Sequence, residues 1–276
     1  MLRPENISSV LVHAGTFHAD DAFAVALVLA AAGKEIPVKR CFSVPEGLPD
    51  TVVVADIGRG KYDHHQDNAA RRADGKKYAA CGLLYEDLQE YLFLTAESRE
   101  DFLNRYILPI EDADNGGSNN PLTCCIDDMN PDWDRPDESD ARFQNAVKLF
   151  LNLIREAQRK EKAAIRADSL LSDAIADAEG KVVLLERPVP WQRRVCQTDN
   201  LFVVYYSMRE EWTVQCVPTE PDSFTVRYPL RSKEEMEGCE FCHSGRFLAT
   251  FDSKEHAMSA ARKLAKESEG KGIGDT

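Results

Sequence analysis

Six histidines are spread over 276 residues, and four of them, His13, His18, His64 and His65, fall within the first 65. Each has carboxylates close by in sequence. HAGTFHADD (13–21) places Asp20 and Asp21 just behind His18, and YDHHQ (62–66) places Asp63 directly before a histidine pair. Asp56 in ADIG (55–58), with Asp112 and Asp114 in EDADNGG (111–117), extends the set until it is large enough for two ions. Mixed imidazole and carboxylate ligands suit Mn²⁺, Fe²⁺, Co²⁺ or Zn²⁺, whereas an all-oxygen set would favour Mg²⁺ or Ca²⁺. Two ions roughly 3.5–4 Å apart form the usual clamp for phosphoester hydrolysis. A carboxylate shared between them is the natural bridge, and Asp56 is the candidate.

The elements around these residues must bring them together. ISSVLVHAG (7–15) predicts a buried strand ending at His13, and AFAVALVLAAAG (22–33) a helix closed by Gly33. IPVKRCFSV (36–44) and TVVVADIG (51–58) predict two more strands. Strand, helix, strand, strand at this spacing indicates a parallel α/β sheet, and such sheets bind ligands at the carboxyl ends of their strands. His13 and Asp56 both occupy that end. Asp20 and Asp21 fall where a helix N-terminus favours negative charge, and for Asp21 that capping role suffices as an explanation. Successive side chains on extended chain alternate, so His64 and His65 are expected to diverge. One can bind metal while its neighbour reaches a substrate phosphate.

Further along, residues 79–94 predict an amphipathic helix and 97–110 another, ending before EDADNGG. The acidic, proline-containing stretch 126–140 reads as a solvated loop. Residues 141–178 form helix almost throughout, as one helix or two in series, and connect two domains. After Gly180, KVVLLE, LFVVYYSM and WTVQCVP predict three strands, followed by a final helix near Lys254 to Lys266 and a frayed tail, GKGIGDT. The expected fold class is α/β: a parallel-sheet N-terminal domain over 1–178, including the helical connector from about 141, and a smaller α+β domain over 179–276. The connector makes hinge motion between the domains an expectation.

Composition narrows the function. The net charge of −13 falls almost entirely on residues 1–178. No basic stripe is present for gripping long nucleic acid through many phosphates, but bound cations can bring a short anionic substrate to an acidic protein. The longest apolar run, residues 22–32, is too short to span a bilayer. The N-terminus lacks the pattern of a secretory signal, which places the expected location in the cytoplasm. Eight cysteines in that compartment read as reduced thiols. Cys239-Glu-Phe-Cys242-His243 formally matches a haem attachment pattern, but haem attachment requires export machinery, and a lone CxxC has no second pair to complete a tetrahedral site. Trp191, Trp212 and Tyr228 can stack bases, although the simpler reading places them in the small domain's core.

Taken in order, HAGTFHADD, ADIG, YDHHQ and EDADNGG resemble the four motifs of the DHH phosphoesterase superfamily. Within it the chain is similar to the family of the eukaryotic melanocyte proliferating gene product, often labelled metal-dependent protein hydrolase. The similarity continues through VPWQ (189–192), WTVQCVP (212–218), FTVRYPL (224–230) and HSGRF (243–247), so it covers nearly the whole chain. The resemblance implies a two-domain DHH-type fold with two divalent ions, most often Mn²⁺, with Mg²⁺ and Zn²⁺ as alternatives. It implies His13, His18 and Asp56 around one ion and Asp20, Asp56 and His64 around the other, with Asp112 or Asp114 completing the second site. His65 would contact the phosphate, and Arg227, His243 and Arg246 would reach it from the second domain. The implied activity is a phosphoesterase, in its specific form a 3′ to 5′ exonuclease on RNA or short oligonucleotides, so that the partner is a short single-stranded nucleic acid or a nucleotide. A hydrolase of a peptide, another amide or a small phosphate, and a metal-binding regulatory protein without turnover, are the alternatives.

Overall fold

The computed structural model describes residues 2–117 and 120–270, and the tail motif GKGIGDT lies outside them after Gly270. The chain divides into two units, Met1–Glu161 and Lys162–Thr276.

In the first unit, β1 (Ser9–His13) runs into α1 (Ala19–Ala32), then β2 (Val38–Cys41) and β3 (Val52–Val54). The sheet order is β2-β1-β3 and both pairings are parallel, so β1 is central and its carboxyl end opens between the other two strands. Helix α1 is apolar nearly all round because both of its sides are covered: Ala22 to Val28 are buried, and small residues at 22, 24 and 26 let neighbouring elements approach. Phe23 stacks on Phe150 with centroids 4.4 Å apart. Gly33, at φ 62, returns its N–H to Leu29 O at 3.2 Å and ends the helix, a left-handed cap that glycine adopts without penalty.

α2 (Ala80–Leu92) packs against α1, and α3 (Ala96–Phe102) leads through a π-helical turn at Leu103–Ile107 into α4 (Leu108–Asp114). The sequence reading ended this helix before Glu111. The structure carries it through Asp114, because Glu111 is not a loop acid: it is fully buried, accepts the Ala79 N–H at 2.9 Å and pairs with Arg72 at 2.9 Å. α5 (Pro121–Asp127), which the sequence reading missed, is capped by Asn120, whose Oδ1 accepts the N–H groups of Leu122 and Thr123. Of the stretch 126–140 expected as loop, residues 128–135 lie outside helix, whereas 126 and 127 end α5, Pro136–Glu138 form a 3-10 turn, and 139 and 140 begin α6 (Ser139–Ala176), which is one continuous helix.

The second unit contains β4 (Val182–Leu185), α7 (Gln192–Val195), β5 (Phe202–Tyr206), β6 (Trp212–Cys216), β7 (Cys239–Cys242), β8 (Leu248–Phe251) and α8 (Lys254–Gly270). Its sheet order is β4-β5-β6-β8-β7, parallel only between β4 and β5. Alternation along β5 sends Phe202 and Val204 to a core with Ala257, Ala261 and Leu264 of α8, and Val203 to a second core with Leu171 and Trp191. That second core explains why the division between units falls within α6 and not at the change of composition near residue 178: Ala167 and Leu171 already pack with these strands. β7 and β8 escaped the sequence reading because each has four residues and no β-branched run. Cys239 and Cys242 lie on β7 as free thiols, pushed above their ordinary range by burial. Among the described residues, no helix is long and apolar enough to cross a membrane.

Candidate metal centre

β1 ends at His13, and the loop after β3 delivers Asp56, so the two stand at the carboxyl end of the parallel sheet. Asp56 adopts φ 54, a left-handed conformation that aspartate and asparagine tolerate better than most residues. Its two oxygens face different histidines: Oδ2 is 3.3 Å from His13 Nε2, and Oδ1 is 3.2 Å from His64 Nε2 and 3.5 Å from His65 Nδ1. The first turn of α1 adds two fully buried acids. Asp21 Oδ1 accepts the His18 N–H, as its capping role requires, while Oδ2 lies 2.7 Å from His13 Nε2. Asp20 accepts the N–H groups of Ala80 and Cys81, at the start of α2, and stands 3.9 Å from His64 Nε2. From the end of α4, Asp114 comes within 3.2 Å of His64 Nε2. Three overlapping groups result, His13 with Asp21 and Asp56, Asp20 with His64 and Asp114, and Asp56 with His64 and His65, each with its ligand atoms within 4.8 Å of one another.

The electrostatics follow from packing so many acids out of water. Burial pushes Asp20 well above its ordinary value, with Asp56 and Asp114 adding to the rise. Burial also raises Asp21 and Asp114. Asp56 goes the other way: burial opposes its charge, but His13 and His64 outweigh that and hold it at about 2. Asp21 and then Asp56 raise His13 to about 10. For His64, burial disfavours the charge, yet Asp56, Asp20 and Asp114 prevail and lift it to about 9.

The donor set fits a pair of divalent cations. Asp21 Oδ2 and Asp56 Oδ1 are buried without a hydrogen-bond partner, although an imidazole nitrogen stands close to each. Ligands about 2.1 Å from one octahedral ion lie about 3 Å from each other, which is the spacing found here. A cleft of about 430 Å³ opens over the cluster, bounded by His18, His65, Lys77, Asn115, Thr123 and Asp127.

Residues 9–265 match the family model MYG1_exonuc, described as "Uncharacterised protein family (UPF0160)". The chain belongs to this family. MYG1 exonuclease of Bos taurus is 28% identical over 315 residues, covering 91% of this chain and 82% of the relative, and that of Homo sapiens is 27% identical, covering 91% and 84%. A solved RecJ in complex with Mg²⁺ from Thermus thermophilus aligns at 16% identity and a TM-score of 0.31, over 95% of this chain and 49% of that one.

In this MYG1-family chain, the expected residues separate into those the cluster gathers and those it does not. His13, Asp20, Asp56, His64 and His65 are brought together in the three overlapping groups. Of the two acids left open, Asp114 faces His64, whereas Asp112 is turned away and tied to Arg72 and Lys76, each at 2.5 Å. His18, expected as a ligand, belongs to none of the three groups: it is exposed on the cleft, its ring 5.9 Å from that of His13. His64 and His65 do not diverge as alternation would require, because residues 63–65 are not strand, and both rings reach Asp56. They differ in burial: His64 is enclosed and His65 is exposed. Asp63 accepts from His65, with Oδ1 2.7 Å from Nδ1, and leaves Nε2 facing outward.

In the second unit, Arg227, expected at the substrate phosphate, is bonded within its own unit. Its guanidinium donates to the carbonyls of Thr198 (2.5 Å), Asn200 (2.9 Å) and Cys196 (2.6 Å), so it braces the loop before β5. Arg227→Ala is therefore expected to destabilise that unit by about 1–3 kcal/mol through three orphaned carbonyls, with KM unchanged for the fraction that remains folded. Urea unfolding beside steady-state kinetics checks this. His243 and Arg246 are both exposed. Trp191 is buried in the core with Val203 and Leu171, and Trp212 and Tyr228 are half-buried against the core with Phe202 and Val204, as the simpler reading had them. Two residues of the site had no sequence signal: Asp21, whose cap hid its second oxygen, and Lys77, a cation on an acidic wall whose ammonium forms no hydrogen bond or ion pair among the described residues.

Proposed function

We propose that this chain is a divalent-metal-dependent exonuclease that removes nucleotides from the 3′ end of RNA or short single-stranded oligonucleotides, with Mn²⁺ as its native ion. The observation that carries this reading is the placement of Asp56, whose two oxygens address opposite halves of a histidine and carboxylate cluster. The relatives named MYG1 exonuclease support the choice of substrate class. His13, Asp21 and Asp56 would hold one ion, and Asp20, Asp56, His64 and Asp114 the other. Bound there, the ions would supply an activated water and neutralise charge on the phosphoryl group.

The remaining work belongs to the chain itself. His65, fixed by Asp63 and open to the cleft, offers Nε2 to a phosphoryl oxygen, and Lys77 stands ready for a second. The wall is otherwise acidic, so the cleft repels a phosphate until cations fill it. Treatment with a chelator is therefore expected to remove activity completely, and Mn²⁺ to restore it.

The deciding experiment incubates the purified protein with Mn²⁺, Mg²⁺ or Zn²⁺ and, in turn, 5′-labelled single-stranded RNA, the equivalent DNA, pyrophosphate and a peptide panel. A ladder shortening from the 3′ end is expected. Release of the 5′ label first would reverse the polarity, and cleavage of peptides alone would sink the nuclease reading. The two adjacent histidines should separate in the same assay. His64→Asn is expected to lower the bound metal, measured by elemental analysis, together with the rate. His65→Asn should keep its metal and lose roughly 10²-fold in kcat, as when one transition-state donor is removed.

A further inference from the structure

Residues 70–78, ARRADGKKY, fold into a short hairpin beside the cleft of the first unit, and its charges are sorted by face. Arg71 and Lys77 are antiparallel bridge partners, flanked by Arg72 N–H on Lys76 O at 2.8 Å and by Tyr78 N–H on Ala70 O at 3.2 Å. Both backbone bonds lie outside the pair, so 71 and 77 oppose each other at a non-hydrogen-bonded position, where Cα atoms stand about 4.5 Å apart and side chains come closest. Alternation sends Arg72 and Lys76 to the other face, where α4 neutralises them. Arg72 pairs with Glu111 at 2.9 Å and with Asp112 at 2.5 Å, and Lys76 pairs with Asp112 at 2.5 Å. Asn115 Nδ2 donates to Lys77 O at 3.2 Å, which fixes the hairpin to the end of α4 next to Asp114.

Arg71 and Lys77 receive no such compensation. The exposed Arg71 guanidinium donates from Nη1 to Gly75 O at 2.8 Å, a neutral acceptor, and the Lys77 ammonium, on the cleft wall, makes no hydrogen bond. Neither joins an ion pair among the described residues. The acid of the hairpin, Asp74, is already held by Arg72 and by the Lys76 N–H, each at 3.0 Å. Like charges directly opposite on paired strands repel, so the fold carries a cost here that a bound anion relieves. Phosphate suits both partners, the guanidinium as a fork and the ammonium as a point charge. Lys77 lines the cleft and Arg71 sits on the neighbouring strand outside that lining, so a strand whose reacting phosphate lies at the centre meets Lys77 first and Arg71 next. Two cations in an acidic protein fit one further phosphate, not a long duplex.

We propose that Arg71 and Lys77 form a subsite for the phosphate adjacent to the one being cleaved in a single-stranded nucleic acid, with Arg71 as its forked ligand and Lys77 between the two phosphates. The choice of ligand rests on the nuclease reading, whereas the opposition of the two cations stands on the hairpin alone.

The test follows binding of a short labelled single-stranded oligonucleotide to the full chain by fluorescence anisotropy over a range of salt, with Ca²⁺ in place of Mn²⁺ and the strand shown intact on a gel. Arg71→Gln is expected to weaken binding by about 10-fold or more, as for one lost hydrogen bond to a charged group. It should also flatten the slope of log affinity against log salt by about 0.7, the share of one phosphate on a single strand. Arg71→Lys should restore most of both. An uncharged methylphosphonate at the linkage next to the terminal one should weaken the wild type and add nothing to Arg71→Gln, which locates the contact. Equal affinity and slope in Arg71→Gln overturn the subsite, as does a wild type that binds no strand. Arg71→Lys as weak as Arg71→Gln would make the bond to Gly75 the cause, and displacement of the strand by an equal concentration of inorganic phosphate would assign the pair to a free anion; either result overturns it. The nuclease reading fails separately, on the absence of metal-dependent cleavage by the wild type. Arg71-dependent binding that persists in that case leaves the subsite standing.

Discussion

Asp56→Asn is expected to lower the rate of phosphodiester cleavage by roughly 10³-fold and to leave the fold in place. Three features make this the cleanest substitution in the cleft. The side chain keeps its shape, asparagine is at ease at φ 54, and the backbone bond from Asp56 N–H to Tyr62 O at 2.8 Å is untouched. Only the charge shared between His13 on one side and His64 and His65 on the other is removed. Losing several kcal/mol of charge stabilisation, at about 1.36 kcal/mol per tenfold, gives a factor of this size. Elemental analysis should show fewer ions per chain, and melting in a chelator near neutral pH should fall below that of the wild type, because His13 and His64 hold the Asp56 carboxylate well below its ordinary value in the fold. Equal cleavage by the two proteins would exclude Asp56 as the bridge.

Arg72→Met is expected to destabilise the first unit by about 3–5 kcal/mol, because it strands a buried carboxylate. Glu111 lies at full burial and keeps only the Ala79 N–H once the guanidinium is gone. Burial already pushes its carboxyl above the ordinary range, against the opposing pull of Ala79 and Arg72. Gly82 leaves the room that this carboxylate occupies, since a Cβ there would come within 1.8 Å of Oε1. The damage should be local and then spread to the centre, because α4 carries Asp114 and Ala79 precedes α2. Hydrogen exchange across both helices measures it, and adding Glu111→Gln to Arg72→Met should recover part of the loss. A single variant as protected as the wild type would show that the pair is dispensable.

Sequence alone located much of the centre, for reasons that can be named. His13 and Asp56 were legible because short β-branched runs end at them, and the end of a parallel strand is where such sheets bind ligands. The pair Asp112 and Asp114 was not. Two positions on a helix point about 200° apart, so only one can face the cleft, and the phase is set by the π-helical turn at Leu103–Ile107 and by buried Glu111. Asp21 was hidden because a cap engages one oxygen and leaves the other unread. The resemblance implied Arg227 as a phosphate contact, whereas the carbonyls that converge on it come from loop geometry, which residue types do not reveal. In the same way, strands as short as β7 and β8 depend on neighbours that no local pattern shows.

Asp20 ties two properties of the protein together. Its carboxylate holds the first amides of α2 and also borders His64 in the cleft, so the seating of α2 against α1 and the affinity of the centre for an ion draw on the same two oxygens. An ion that prefers the assembled arrangement stabilises it in proportion to its concentration over its dissociation constant. If the cleft holds metal as proposed, removing the ion is expected to loosen the start of α2 as well as to stop turnover, and limited proteolysis with and without a chelator measures it.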